Sequence, residues 1–217
     1  LVELKALLDK AQYVPGTDHL VSVGDLFDKG PDQIGVVEYL AQENASCVQG
    51  NHDSWFIRWL QAEAKGKNRM QPKADNIALL NALSDKAKKW LVNMPVRLEL
   101  FGGKILVVHG GPMEGKEQHL RYVDETGKFT PMAEGSLEQP PGTVFWTEKY
   151  EGEQLVVYGH HPRKLVEITH NTVGLDTGCV HGNRLSCGIW DGDHQRMPKI
   201  VYVEAQMAYE PRPQGLE

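Results

Sequence analysis

Four apolar runs in this chain stop in the same way. Residues 20–24 lead into Asp25, 45–49 into Gly50-Asn51-His52, 105–108 into His109-Gly110-Gly111, and 155–159 into His160. Such short runs of aliphatic residues, bounded by glycine, read as buried strands. In open α/β sheets, ligands bind beyond the carboxyl ends of the strands. Four strand ends of this kind predict that Asp25, Asn51, His52, His109 and His160 share one rim. Glycine beside Asp25, Asn51, His109 and His160 lets the backbone turn sharply and approach a ligand closely. A single Asp or His at a strand end is more often a capped turn, so it is the recurrence that points to a site.

The rest of the chain supplies the scaffold for that rim. The stretch 32–44 (DQIGVVEYLAQEN) carries helical periodicity between the first two strands, which predicts a parallel βαβ unit. Helices are predicted over 53–65 and 75–92, the second interrupted near Ser84, and a hairpin over 96–111 turning at Gly102-Gly103. Residues 112–143, rich in Gly, Pro, Glu and Thr, read as an excursion over the surface, and strands alternate with turns after residue 164. At the start, Leu1, Leu4, Leu8 and Ala11 form one helical stripe with no capping residue ahead of it, so the chain reads as beginning inside a helix. The tail 214–217 reads as a cloning remnant. A length of 217 residues predicts a single α/β domain over 1–217.

Composition narrows the function. A net charge of −6 argues against a basic nucleic-acid-binding surface, sequence-specific binding included. Three cysteines, Cys47, Cys179 and Cys187, form no CxxC pair, which fits a reducing cytoplasmic compartment better than a disulfide framework. No run approaches the length of a membrane span, and no signal peptide is visible. The donors on the rim are a carboxylate, an amide oxygen and imidazoles. That set suits a hard or borderline divalent cation such as Mn, Fe or Zn, and a carboxylate has two oxygens with which Asp25 could bridge two ions.

The segments GDLFDKGPD, GNHD, VVHGG and YGHHP, in that order, resemble the calcineurin-like metallophosphoesterases. Within them the chain is most similar to the branch of Ser/Thr phosphoprotein phosphatases and diadenosine tetraphosphatases. Lys29 stands where that branch usually has Arg, and with Gly30-Pro31-Asp32 after it resembles the ApaH-like phosphatases. The likeness runs from Ser22 to Pro162, and the segment 174–186 extends it. The fold implied is a β-sandwich of two mixed sheets flanked by helices. The cofactor implied is a pair of divalent ions, Mn first and Fe, Zn, Co or Mg as alternatives. Asp25 would bridge them, and Asn51, His109 and His160 would complete the shell of one. The other ion's Asp-x-His segment would lie on an N-terminal strand upstream of Leu1; a chain lacking it would be nearly inactive.

The chemistry implied is attack on phosphorus by metal-activated hydroxide. His52, next to ligand Asn51, would protonate the leaving oxygen, with Asp28 orienting it, while Asp53 is expected to cap the following helix. Lys29 is the first candidate for a phosphate contact, Asn51 and Arg58 are further ones, and Arg184 is a weaker one. Arg58, Lys65, Lys67 and Arg69 read either as a solvated face or as a patch that captures polyanions. His161, His19, His119, His170, His181 and His194 receive no role, and Trp55, Trp59, Trp90 and Trp146 are expected to pack the core. Implied substrates are dinucleoside polyphosphates, polyphosphate or capped RNA ends. A Ser/Thr protein phosphatase acting on phosphoproteins and a metal-deficient phosphate-binding domain are the alternatives.

Overall fold

The computed structural model describes residues 1–71, 73–132, 138–192 and 197–211; His194 and the tail 214–217 lie outside them. Helix α1 (Val2–Lys10) precedes β1 (Val21–Ser22), α2 (Gln33–Gln42) and β2 (Ser46–Cys47). Then come α3 (Asp53–Ala64), α4 (Ala74–Ala82) and α5 (Asp85–Val92), followed by β3 (Arg97–Leu100) and β4 (Ile105–Val108). The second half holds β5 (Tyr122–Asp124), β6 (Phe129–Thr130), β7 (Thr143–Phe145), β8 (Leu155–Tyr158), β9 (Glu167–Ile168), β10 (Thr172–Gly174), β11 (Arg184–Ile189) and β12 (Lys199–Glu204).

Local chemistry explains several boundaries. The Asp32 carboxylate accepts from Gly35 N at 2.9 Å and starts α2; the Ser84 hydroxyl accepts from Ala87 N at 3.2 Å and starts α5. Both satisfy N–H groups that a helix cannot pair internally. Ser84 is thus the break expected between 75 and 92, and α1 begins without a side-chain cap. β1 and β2 pair in parallel around α2, although each strand is only two residues long.

Five strands form the central sheet in the order β3-β4-β8-β10-β9, with β4, β8 and β10 parallel and an antiparallel strand at each edge. Side chains alternate across a strand, so this sheet has two buried faces. Ile105, Val107, Val157 and Val173 pack against Val21, Val23, Val48, Trp190 and Ile200. Leu106, Val108, Val156 and Tyr158 pack against Leu120, Tyr122, Val123, Phe145 and Trp146. The expected sandwich is therefore present, with its facing layer divided into a parallel β1-β2 ladder and an antiparallel β11-β12 ladder. Behind β2, Cys47 joins Val37, Ala41, Phe56, Ile57, Leu80, Ala87 and Leu91 of the helices in a further buried cluster.

The excursion expected over 112–143 is corrected. It contains β5 and β6, which join β7 at its end in a three-stranded sheet, and Leu120, Tyr122 and Val123 are buried against the central sheet. The Gly- and Pro-rich composition hid strands of two or three residues, too short to show a period of two.

Candidate metal centre

The four strand ends meet. The Asp25 Oδ2 lies 3.2 Å from His109 Nε2, Asn51 Oδ1 lies 3.2 Å from the same nitrogen, and His160 Nδ1 lies 3.1 Å from it. Among the described residues, Asp25, His109 and His160 form a group whose ligand atoms all lie within 4.8 Å of one another.

Three backbone positions in this region carry strain. Asp25 (φ 60°), Asp28 (φ 71°) and His160 (φ 67°) all adopt the left-handed conformation that L residues avoid. Such outliers persist where the surroundings over-determine them, which is common at functional sites. The surroundings here are explicit. Asp53, fully buried, accepts from Asp25 N at 2.8 Å, Leu26 N at 2.7 Å and Gly50 N at 2.8 Å. The expected helix-capping role is corrected: the Asp53 carboxylate is a strut between the two loops. Hydrogen bonds to a charged group are worth about 1.5–3 kcal/mol each. Gln118 ties the Asn51 loop to the segment between β4 and β5, donating to Gly50 O at 3.0 Å and Ser54 Oγ at 2.8 Å. A Cβ on Gly50 would lie 2.4 Å from Asp25 N, so only glycine allows this approach.

The donor chemistry fits a divalent cation. Val23 O can only accept, and it lies 2.7 Å from His109 Nδ1, so that nitrogen carries the proton and Nε2 offers its lone pair to the centre. Four lone-pair atoms, two oxygens and two nitrogens, thus converge. Without a cation only a proton can offset them, and their titration shows the strain. Burial opposes charge on His109, yet the Asp25 carboxylate outweighs it and raises the His109 pKa. Burial and then the neighbouring His109 drive His160 well below the ordinary histidine range. For Asp25 burial acts upward, and His109 and His52 outweigh it, so its carboxyl stays low.

His52 stands at the edge of this cluster. Its Nδ1 lies 2.8 Å from Asp28 Oδ2, which leaves Nε2 turned inward, 3.9 Å from Asp25 Oδ2. Its backbone N donates to Asp25 Oδ1 at 3.1 Å, so the two oxygens of Asp25 have different partners. Lys29 is exposed and lines the same cavity of about 1150 Å³ as Asp25, His109 and His160. Arg184 also lines it, but its Nε donates to Glu204 at 2.9 Å and its guanidinium lies over Tyr202. Arg58, Lys65, Lys67 and Arg69 are all exposed, and Arg58 Nε donates to Ser54 O. His161 turns away from the cluster, toward Tyr122 and Phe145.

Sequence reasoning missed two charged neighbours. Asp176 follows β10, lines the cavity, and has its carboxyl pushed up by burial. It is a fifth polar group beyond a strand and Gly174, so the rule that found the other four covers it. Arg121 donates from Nη2 to His160 O at 2.9 Å. It lies in the stretch read as an excursion, and nothing local marked it.

Fold and centre together define a metal-dependent phosphoester hydrolase, and the sequence profile of the Calcineurin-like phosphoesterase family matches residues 1–196: the chain belongs to this family. Its relatives carry a narrower name. It is 30% identical over 230 residues to bis(5′-nucleosyl)-tetraphosphatase PrpE (asymmetrical) of Halalkalibacterium halodurans, covering 93% of this chain and 87% of the relative. The PrpE of Bacillus subtilis is 30% identical over 210 residues, covering 85% and 84%. The symmetrical bis(5′-nucleosyl)-tetraphosphatase of Aeromonas salmonicida is 26% identical, covering 88% and 90%. Among solved structures, a candidate diadenosine tetraphosphatase superposes with a TM-score of 0.73 at 25% identity, covering 94% of this chain and 88% of its own. No helix among the described residues is long and apolar enough to cross a membrane.

Proposed function

We propose that this chain hydrolyses a phosphoanhydride bond of bis(5′-nucleosyl) tetraphosphates, with manganese as its cation. The observation that carries the reading is the convergence of Asp25, Asn51, His109 and His160 beside a histidine pinned by Asp28. The relatives' named substrate narrows the phosphoester class to this anhydride. Asp25, Asn51, His109 and His160 would hold the cation, and the described residues gather this donor set for one ion. A divalent cation there supplies Lewis acidity toward a phosphoryl oxygen and makes a coordinated water more acidic.

The protein's own groups divide the remaining work. Lys29 and Arg121 bring positive charge to the phosphate oxygens, where phosphoryl transfer needs it. Asp28 accepts from His52 Nδ1 and fixes the ring, so that the Nε2 proton can pass to the bridging oxygen as the departing nucleotide leaves. Asp53 keeps the Asp25 and Asn51 loops at fixed separation while this happens, and Gln118 anchors the Asn51 loop alone. Three free thiols support a reducing, cytoplasmic location.

The test is a substrate panel with added Mn²⁺: nucleotide release from diadenosine tetraphosphate, shortening of polyphosphate, and phosphate release from a phosphopeptide. The expected outcome is preference for the dinucleotide. Preference for the phosphopeptide would move the assignment to a protein phosphatase.

A further inference from the structure

The general-acid position sits at the head of an aromatic stripe. His52 already has helical backbone angles, φ −71° and ψ −29°, and α3 continues from it. Positions three and four apart are neighbours on a helix, so His52, Trp55 and Trp59 fall on one line. The two indoles are stacked, with ring centroids 5.0 Å apart and planes 24° from parallel, and both are only half-buried. A helical side chain leans toward the N-terminus and covers the preceding turn. Both indoles pack partly on the helical core, Trp55 also meeting Phe56 edge to face at 5.4 Å; by the same lean Trp59 backs Trp55 and Trp55 is directed toward the turn that carries Asn51 and His52. Arg58, three residues after Trp55, folds back in the same direction, with Nε donating to Ser54 O at 3.1 Å.

We propose that Trp55, backed by Trp59, is the stacking platform for the base of the departing nucleotide, with Arg58 beside it for that nucleotide's phosphate. The assignment rests on the tetraphosphatase reading above. The group that protonates the leaving oxygen marks the leaving-group side of the site, and the next side chain along the stripe is this indole. A stacked indole offers a flat π-face whose partner needs no particular hydrogen-bonding edge. The platform therefore selects for a nucleoside over a bare phosphate and tolerates different bases. A peptide phosphorylated on serine or threonine brings no nucleobase to it.

The experiment compares kcat/KM for diadenosine tetraphosphate with kcat/KM for inorganic tripolyphosphate, both with Mn²⁺, in the wild type, Trp55→Leu and Trp55→Phe. Loss of one base stack corresponds to about a tenfold change. Trp55→Leu should lower the dinucleotide-to-tripolyphosphate ratio about tenfold, mainly through KM, and Trp55→Phe should recover most of it. An unchanged ratio, or a phenylalanine variant no better than the leucine one, overturns the proposal. Calorimetric binding of AMP separates this failure from failure of the substrate reading. If the wild type does not cleave the dinucleotide, tenfold weaker AMP binding by Trp55→Leu still supports the platform, and equal binding overturns it. Should the leucine variant fail to fold, quenching of tryptophan emission by AMP decides: present in the wild type and lost in Trp55→Phe, or the platform is wrong.

Discussion

Replacing Gly50 with alanine asks whether the centre depends on how closely two loops approach. Gly50 lacks the positive φ that would make any side chain strained, so the effect of Gly50→Ala is steric. The new Cβ would stand 2.0 Å from Asp25 Oδ1 and 2.4 Å from Asp25 N. The carboxylate can rotate, but the backbone nitrogen cannot. Ordinary contact begins at 3.4 Å, so the loops must part by about 1 Å. Asp53 holds both loops through Asp25 N, Leu26 N and Gly50 N, so the separation cannot be absorbed without loosening those bonds, and Asn51 is one residue away. Overpacking of this kind costs about 1–3 kcal/mol, which shifts Tm by a few degrees in a chain of this size. A 1 Å displacement of catalytic groups costs about 100-fold in rate. The variant should therefore fold, melt a few degrees early, bind Mn²⁺ more weakly by calorimetry, and lose about 100-fold in kcat/KM. A variant that folds and stays within threefold of the wild type would refute the argument that this approach sets the geometry.

Three other perturbations address single links in the chain of reasoning. Burial and then Asp25 push the Asp53 carboxyl up to about 6 from an ordinary 3.8, so its contribution to stability is complete below about pH 4 and is lost as pH rises through about 6. In metal-free protein, Asp53→Asn lacks this dependence, and the wild type's advantage in urea unfolding should shrink by up to about 3 kcal/mol between pH 4 and 7; parallel stability curves would contradict the assignment. His52→Ala should slow turnover by about 10²–10⁴ while metal content by atomic absorption stays near wild type; loss of metal would make His52 a ligand instead. Asp25→Asn should abolish both Mn²⁺ binding and activity, as chelation should in the wild type, and retained turnover in either case would remove the cation from the scheme.

Much of this site could be read from the chain before it folds. Apolar strands that end in glycine and a donor group are a local pattern, and four repetitions were enough to name Asp25, Asn51, His109 and His160 as neighbours. Pairing His52 with Asp28 came from a family likeness, and a distance of 2.8 Å accords with it. What sequence could not supply is whatever depends on the approach of segments far apart in the chain. Asp53 looked like a helix cap because capping is the commonest use of an aspartate there; the three N–H groups that claim it come from loops that meet only after β1 and β2 pair. Arg184 reads in the sequence as a weaker phosphate candidate, and no spacing tells that β12 brings Glu204 and Tyr202 against it where it lines the cavity. Arg121 carried no local signal, since its significance lies in reaching His160 O across 39 residues. The sequence by itself determined which donors exist and which strand ends carry them, because periodicity and glycine placement act locally. Only the tertiary structure decided which carboxylate braces, which cation is spent on an ion pair and which stands exposed at the cavity, because those positions are set by distances between chain segments that no spacing encodes.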